Sequence, residues 1–213
     1  FTPEYEHKAR VLQFVSQPHK TYFELEEKDN IENDFFYMPN QFWKHKNHML
    51  AFEAIDRLKS EGVEICLVCT GCFDDYRNRE YIQDIKDFIK KNSLEKQIKI
   101  LGLIAPRDVF ALIKFSKAVI NPSLFEGWSS TVEECKSVGK NMILSNLDVH
   151  KEQCPEATFF ERNSVNSLRD VLRSYDKANK ENINTRSILM KRTEKFATAY
   201  IRIVEEIFPQ KSN

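Results

Sequence analysis

The sequence predicts an α/β domain built around a doubly wound, parallel β-sheet. Six short apolar runs, rich in aromatic and β-branched residues, occur between residues 35 and 160. Segments with apolar residues at helical spacing separate these runs, and glycine or proline stands at many of the junctions. Strands that alternate with helices are typical of parallel sheets covered on both faces. The 213 residues suit one such domain with flanking helices.

The first three predicted strands are residues 35–38, 63–70 and 98–101. The first helix, between the first two strands, ends at Gly62 and repeats apolar residues at helical spacing: Leu50, Ala51, Ala54, Ile55 and Leu58. A second helix is predicted within residues 78–91, where apolar side chains fall on one helical face.

The remaining strands are predicted at residues 118–120, 142–144 and 158–160. Pro106 suits the first turn of a helix, and another helix begins near Ser130. Two further helices, at about 165–178 and about 185–207, form the tail.

Three loops are expected to carry the chemistry. Open parallel sheets bind ligands at the carboxyl ends of their strands. The loops that follow the first, third and fourth strands at that edge are residues 40–47, 102–107 and 121–131.

The composition argues against several classes of function. Lysine plus arginine equals aspartate plus glutamate at 32 each, so no overall charge favours nucleic acid or an anionic membrane surface. No apolar stretch approaches the roughly 20 residues that span a bilayer. The five cysteines are an odd number, which favours a reducing compartment. The chain begins with Phe1, and we interpret it as a fragment or a processed product.

Three segments at the strand ends carry a family resemblance. They are residues 39–47 (PNQFWKHKN), residues 122–134 (PSLFEGWSSTVEE), which contain Glu-x7-Glu, and residues 145–153 (SNLDVHKEQ). In this order they resemble the C-terminal, nucleotide-sugar-binding domain of family-4, or group 1, retaining glycosyltransferases, which is one half of a GT-B fold. The resemblance covers about residues 35–180.

The resemblance implies a hexosyltransferase. A nucleotide-diphospho-sugar donor would give its sugar, with retention, to a glycan or lipid-linked acceptor, typically in bacterial surface polysaccharide biosynthesis. The acceptor site would belong to a second, N-terminal domain. Residues 1–34 would then be an interdomain linker, residues 35–180 the Rossmann-like donor domain, and residues 181–213 a C-terminal helix and tail. Because the acceptor domain is missing, we expect this chain alone to be inactive.

The family pattern assigns catalytic roles to Lys46 and Glu126. Lys46 matches the lysine that neutralises the leaving diphosphate, and Glu126 matches the glutamate that binds sugar hydroxyls near the reacting carbon. Gln41 occupies a donor-binding position where the family usually has arginine, so this chain lacks that positive charge. Alternatively, Lys46 is a solvated loop lysine like Lys44, and Glu126 is a carboxylate in a turn.

Further donor contacts are implied in two places. Ile104 and Arg107 follow the third strand, where the family contacts the nucleobase, although Arg107 also suits a surface position in a first helical turn. Glu134 matches the second glutamate of the motif and would bind ribose. It also fits a capping box, as does Glu133. The helix that contains Glu134 begins with three hydroxyl residues. Their backbone N–H groups could bind phosphate, or their side chains could simply cap the helix: Ser129, Ser130 and Thr131.

Metal chemistry is not expected. Cys66, Cys69 and Cys72 superficially match an iron–sulfur spacing, but Cys66 and Cys69 would face opposite sides of a strand. The resemblance implies no cofactor and no metal, with the nucleotide-sugar as substrate. His150 lies in the third matched segment, where a secondary donor-site role is open.

Two rival functions remain open at this stage. A nucleotide-sugar epimerase would bind the same donor, although the Glu-x7-Glu motif favours transfer. A degenerate, non-catalytic nucleotide-binding module is supported by Gln41. The expected partners are the donor, the acceptor and the missing domain, without nucleic acid. We expect a cytoplasmic location, with the full-length protein at the inner face of the membrane.

Overall fold

The described strands form one parallel sheet. A computed structural model describes residues 3–25, 34–73, 78–175 and 185–208. The six strands pair in parallel in the order β3-β2-β1-β4-β5-β6, which confirms the predicted fold class. Their bounds are β1 Phe35–Pro39, β2 Cys66–Thr70, β3 Ile98–Ile100, β4 Val119–Asn121, β5 Met142–Ser145 and β6 Thr158–Phe160.

Seven α-helices surround the sheet within the described ranges. The helix over residues 148–153 was not predicted, while the other helices lie where the sequence placed them. Residues 176–178, which the prediction gave to the sixth helix, lie outside the described residues. The helices are α1 His48–Ser60, α2 Arg79–Lys91, α3 Pro106–Phe115, α4 Ser130–Ser137, α5 Asp148–Gln153, α6 Val165–Ser174 and α7 Thr185–Ile207.

The second strand is shorter than predicted. The apolar run starts at Val63, whereas β2 starts at Cys66. The reason is the length of the neighbouring strand, because the ladder begins where Phe35 pairs with Cys66. Residues 63–65 therefore have no residue of β1 opposite them with which to pair.

Side chains alternate between two apolar cores, one on each face of the sheet. Phe36 and Met38 pack with α1, α2 and α6, whereas Phe35 and Tyr37 pack with α3 and α4. This alternation is the two-residue period of a strand buried on both faces. The cysteines of β2 follow it, with Cys69 in the first core and Cys66 beside the second. None of the five cysteines, all in described ranges, forms a disulfide.

The strand order reverses at the centre of the sheet, because β2 and β3 lie on one side of β1 while β4, β5 and β6 lie on the other. The loops after β1 and β4 are far apart in the sequence but contact each other, because the Leu124 N–H donates to the His45 carbonyl at 2.8 Å. A reversal of this kind opens a crevice at the carboxyl edge, which is the usual ligand site in doubly wound sheets.

The segment before β1 contacts the domain. Tyr22 stacks on Phe110 of α3 with ring centroids 5.0 Å apart. The Lys114 ammonium donates to the carbonyls of Phe23 and Leu25, and the Ser137 hydroxyl donates to the Ser16 carbonyl. Residues predicted to be a linker therefore lie against α3 and α4 in the part that the structure describes.

Candidate donor site

Lys46 and Glu126 form an ion pair in the central crevice. Lys46 ends a 3-10 turn after β1, and Asn47 then takes a left-handed conformation (φ 57°) that directs the chain into α1. Its ammonium donates to Glu126 Oε1 at 2.6 Å. The side chains are 14% and 9% exposed, whereas Lys44 is exposed. The structure thus brings together the two residues that the sequence assigned to catalysis.

The Glu126 carboxylate is held in its ionised form. Burial alone would raise its pKa, but the ion pair with Lys46 and a hydrogen bond from Ser123 outweigh burial and lower the pKa. Oε1 takes both of these contacts, so Oε2 can accept a further donor. Among the described residues, the Lys46 ammonium donates to Glu126, which leaves two of its three protons for a ligand.

A row of buried polar side chains behind Glu126 was missed by sequence reasoning. The Ser123 hydroxyl lies 2.7 Å from both Glu126 Oε1 and Asn121 Oδ1, so its single proton serves either acceptor. Asn121 Nδ2 donates to Ser129 Oγ at 3.1 Å. The available signal was an Asn-Pro-Ser run directly after a buried strand, because polar side chains there must find partners inside the fold.

The start of α4 offers two unused backbone donors. Ser129 is the N-cap, and its hydroxyl accepts from the Val132 N–H. The Ser129 N–H already donates to Gln153 Oε1 at 2.9 Å. The N–H groups of Ser130 and Thr131 donate to none of the described residues, so they, rather than Ser129, can bind an anion.

Glu134 lines a cavity of about 270 Å³ at the ends of β1 and β2. Burial raises the pKa of its carboxyl group, and it forms no hydrogen bond or ion pair with any described residue. Gln41 and Ile104 line the same cavity. The Gln41 side-chain oxygen accepts from the Cys72 N–H at 2.6 Å, which leaves its amide protons as donors.

Arg107 and Glu133 lie elsewhere. Arg107 is exposed in the first turn of α3 and does not line the cavity. Glu133 is 1% exposed and pairs with Lys136 and with Arg192 of α7. Since Ser129 is the N-cap, the third helical residue is Val132, and neither Glu133 nor Glu134 forms a capping box.

Comparison with known proteins identifies the family. A family model described as "Glycosyl transferases group 1" matches residues 21–193. The chain belongs to the group 1 glycosyl transferases. A comparison with curated protein sequences gives no match.

Solved structures share the fold of this group 1 domain. A glycosyltransferase from Rickettsia africae ESF-5 matches with TM-score 0.71 and 20% identity, covering 86% of this chain and 50% of that one. HepE from Anabaena, in complex with UDP, matches with TM-score 0.66 and 16% identity over 82% and 48%. Sucrose-phosphate synthase from Thermosynechococcus elongatus matches with TM-score 0.68 and 16% identity, covering 84% of this chain and 47% of that one. The chain spans about half the length of these proteins.

Two histidines of the group 1 domain are buried beside the site. His150 Nδ1 lies 2.9 Å from the Ser145 carbonyl, and this contact makes Nδ1 the protonated nitrogen. Burial lowers its pKa, so the ring is neutral near neutral pH. Burial also lowers the pKa of His48 to about 3, and its ring stacks on Phe42 at 4.1 Å between centroids. Both rings therefore act as packed, uncharged groups.

Two negative findings apply to the residues that the structure describes. No group of three or more histidine, cysteine, aspartate or glutamate side chains there is arranged to hold a metal ion. None of the described helices is long and apolar enough to cross a bilayer.

Proposed function

We propose that this chain is the C-terminal, donor-binding domain of a family-4 retaining glycosyltransferase. The observation that carries the proposal is the Lys46–Glu126 ion pair, which lies where the strand order reverses. Its two charges suit the two ends of the bond to be broken. A cation stabilises the leaving diphosphate, and a carboxylate accepts hydrogen bonds from the sugar.

The diphosphate would be bound by charge and by backbone donors together. The two remaining ammonium protons of Lys46 can donate to phosphate oxygens without breaking the bond to Glu126. The unused N–H groups of Ser130 and Thr131 add donors at the positive end of the α4 dipole. Glu126 Oε2 would accept from a sugar hydroxyl near the reacting carbon.

The nucleoside would occupy the adjacent cavity. The unpaired carboxylate of Glu134 suits the two ribose hydroxyls, which are donors. Ile104 and Pro106 offer an apolar wall for a base, and the Gln41 amide protons offer donors to its edge. Gln41 would thus serve the nucleoside and leave Lys46 as the one side-chain cation in contact with the diphosphate.

The remainder of the proposal concerns the whole protein. A second Rossmann-like domain would supply the acceptor site, and the enzyme would transfer a hexose to a glycan or lipid-linked acceptor in bacterial surface polysaccharide synthesis. No metal or cofactor would be required, since Lys46 and the α4 N-terminus supply the positive charge. We propose a cytoplasmic location, peripheral to the membrane.

A degenerate binding module is the second candidate. It is favoured by Gln41, which is neutral and uses its side-chain oxygen to accept from the Cys72 N–H. Such a module would retain the cavity without the charge needed to release a diphosphate.

Calorimetric titration separates the candidates. A panel of UDP-, GDP- and ADP-sugars should include at least one ligand that binds. Lys46→Ala should weaken its binding about tenfold or more, the loss of a charge-assisted hydrogen bond, whereas exposed Lys44→Ala should change it less than about twofold. Equal effects would show that the wrong lysine is assigned, and no effect from either would favour the degenerate module.

A further inference from the structure

Glu133 carries a charge in the interior for which the proposed chemistry has no use. Its side chain is 1% exposed, and it immediately precedes Glu134 on α4. Three groups surround it: the Arg192 guanidinium, the Lys136 ammonium at 3.1 Å, and the Gln153 amide nitrogen at 3.3 Å. A buried carboxylate is costly unless its partners remain in place, so the contacts around it are held firmly.

The Glu133 carboxylate and the Ser129 backbone together fix the orientation of the Gln153 amide. A carboxylate can only accept hydrogen bonds, so the Gln153 side chain must turn its nitrogen toward Glu133. Its oxygen then faces the other way and accepts from the Ser129 N–H at 2.9 Å, while its nitrogen also reaches the Ser129 carbonyl at 3.2 Å. A flipped amide would place its nitrogen against the Ser129 N–H and its oxygen against the carboxylate.

The contacts continue from Ser129 to the ion pair. Ser129 Oγ accepts from Asn121, whose side-chain oxygen faces Ser123, and Ser123 contacts Glu126. A line of polar contacts therefore runs from Arg192, on the C-terminal helix, to Glu126 in the crevice, with the single Ser123 proton bonding either Asn121 or Glu126 at its last step. The N-cap of α4 lies in the middle of this line.

We infer that Arg192 and Glu133 are positioning residues for the donor site. Their ion pair orients Gln153, Gln153 anchors Ser129, and Ser129 sets the direction in which the Ser130 and Thr131 N–H groups point. The inference rests on the proposed function, because those N–H groups are assigned to the donor diphosphate. It makes helix α7 part of the structure that shapes the donor site.

The test compares two arginines of the same helix. Arg192→Met removes the charge at Glu133, whereas Arg186→Met removes a surface contact with Glu24 and is the matched control. UDP and uridine are titrated into each variant. Arg192→Met should lower the affinity for UDP about fivefold, the fold-change of one impaired hydrogen bond, and leave the affinity for uridine unchanged. Arg192→Lys should restore most of the UDP affinity, and Arg186→Met should alter neither ligand.

Amide hydrogen exchange provides a readout that needs no ligand. Exchange at the Ser129 N–H should accelerate about tenfold or more in Arg192→Met, while the N–H of Ile143 in β5 keeps its wild-type rate. Glu133→Gln should also accelerate exchange at the Ser129 N–H, because a glutamine side chain no longer requires the Gln153 nitrogen to face it and so removes one of the contacts that orient Gln153. This variant also serves if Arg192→Met fails to fold.

The outcomes separate this inference from the proposed function. If the wild-type chain binds no nucleotide at all, the proposed function fails, and Ser129 exchange still decides whether Arg192 positions α4. Wild-type exchange at Ser129 and an unchanged ratio of UDP to uridine affinity in both variants would overturn the inference. So would an Arg186→Met variant that behaves like Arg192→Met.

Discussion

Glu126 shows how a single carboxylate can be both shielded from solvent and ionised. Burial penalises its charge, but Lys46 at 2.6 Å and Ser123 at 2.7 Å compensate, and the pKa is lowered. The attraction between the two partners and the Ser123 hydrogen bond offset the desolvation that burial costs. Each partner still keeps a group with which to contact a ligand.

The lowered pKa of Glu126 predicts a specific pH dependence. Because the folded-state pKa lies below that of the unfolded chain, about 4.3, the pair stabilises fully above that value. This stabilisation is lost as the pH falls through the folded-state pKa. Glu126→Gln should therefore lower the free energy of unfolding by about 1–3 kcal/mol near neutral pH, and this deficit should shrink as the pH falls below about 4.3, as measured by urea titration.

The matched control for that experiment is Glu80→Gln, an exposed glutamate in the first turn of α2. It should change the free energy of unfolding by less than about 0.5 kcal/mol at neutral and at acidic pH. A Glu126→Gln deficit that stays constant down to the acid limit would show that the ion pair does not hold the carboxylate ionised.

Two adjacent glutamates should give opposite results. Glu134→Gln should weaken binding of the best-bound nucleoside diphosphate about tenfold, because the ribose contact is lost. It should also remove the higher affinity for that ligand over its 2′,3′-dideoxy analogue. Its melting temperature should stay unchanged. Glu133→Gln should keep the preference for ribose but lose about 2–3 kcal/mol of stability, because its buried partners lose their counter-charge. Calorimetry and thermal unfolding measure both, and a Glu134→Gln variant with full ribose preference would refute the assignment.

The sequence could point to the candidate site residues that belong to a motif, and not to those that depend on packing. Lys46 and Glu126 stand at strand ends in matched segments, so their meeting across 80 positions followed from the predicted sheet. Glu133 and Arg192 lie 59 positions apart on two helices, and no periodicity or spacing relates them. Which of two adjacent glutamates faces inward depends on how α4 is rotated against α7, which is a property of the packed structure.

At the scale of elements, the end of β2 forms the floor of the cavity by lying very close to the end of β1. Gly71 follows β2 with φ 145°, and a Cβ built on it would lie 2.3 Å from the Asn40 carbonyl oxygen and 2.9 Å from Gln41 Cα. A side chain here would collide with backbone, which cannot move aside as a flexible side chain can. The absence of a Cβ therefore allows the two strand ends to enclose the cavity.

Gly71→Ala should damage both stability and nucleoside binding. The added methyl group forces apart the ends of β1 and β2, at a cost of about 2–3 kcal/mol, and displaces Gln41 from the cavity wall. Gly62→Ala is the matched control, since its φ is also positive (77°) but no atom lies within 4 Å of the added Cβ. It should lose about 1–2 kcal/mol and bind nucleoside normally. Equal binding by the two variants would show that the close approach does not shape the site.

Strand and helix identities followed from local pattern, whereas some boundaries required the neighbouring strand. The alternation of aromatic and β-branched runs with amphipathic segments gave the six strands in order. The start of β2 at Cys66 did not follow, because it depends on where Phe35 begins the adjacent ladder. The short helix α5 was also missed, since its six residues are too few to show a helical period.

At the scale of the whole molecule, the sheet presents its binding edge in one direction. The loops after β1, β2 and β4 and the start of α4 all lie at the carboxyl edge, with helices covering both faces. The solved structures that share this fold are about twice as long as the chain. In the proposed enzyme, the other half would face this edge and exclude water from the bound donor.

The last prediction concerns the 213-residue chain used alone. It should bind a nucleoside diphosphate weakly, because the ligand stays exposed on one side and the ion pair remains in contact with water, which weakens electrostatic attraction. It should transfer no sugar, because no second domain holds an acceptor against the bound donor. Calorimetry measures the binding, and incubation with radiolabelled nucleotide-sugars and glycan or lipid-linked acceptors measures transfer. Adding the proposed N-terminal domain should restore transfer, and the Lys46→Ala version of that longer protein controls for contaminating enzymes. Transfer by the short chain would show that its own residues complete an acceptor site, and the two-domain proposal would then be wrong.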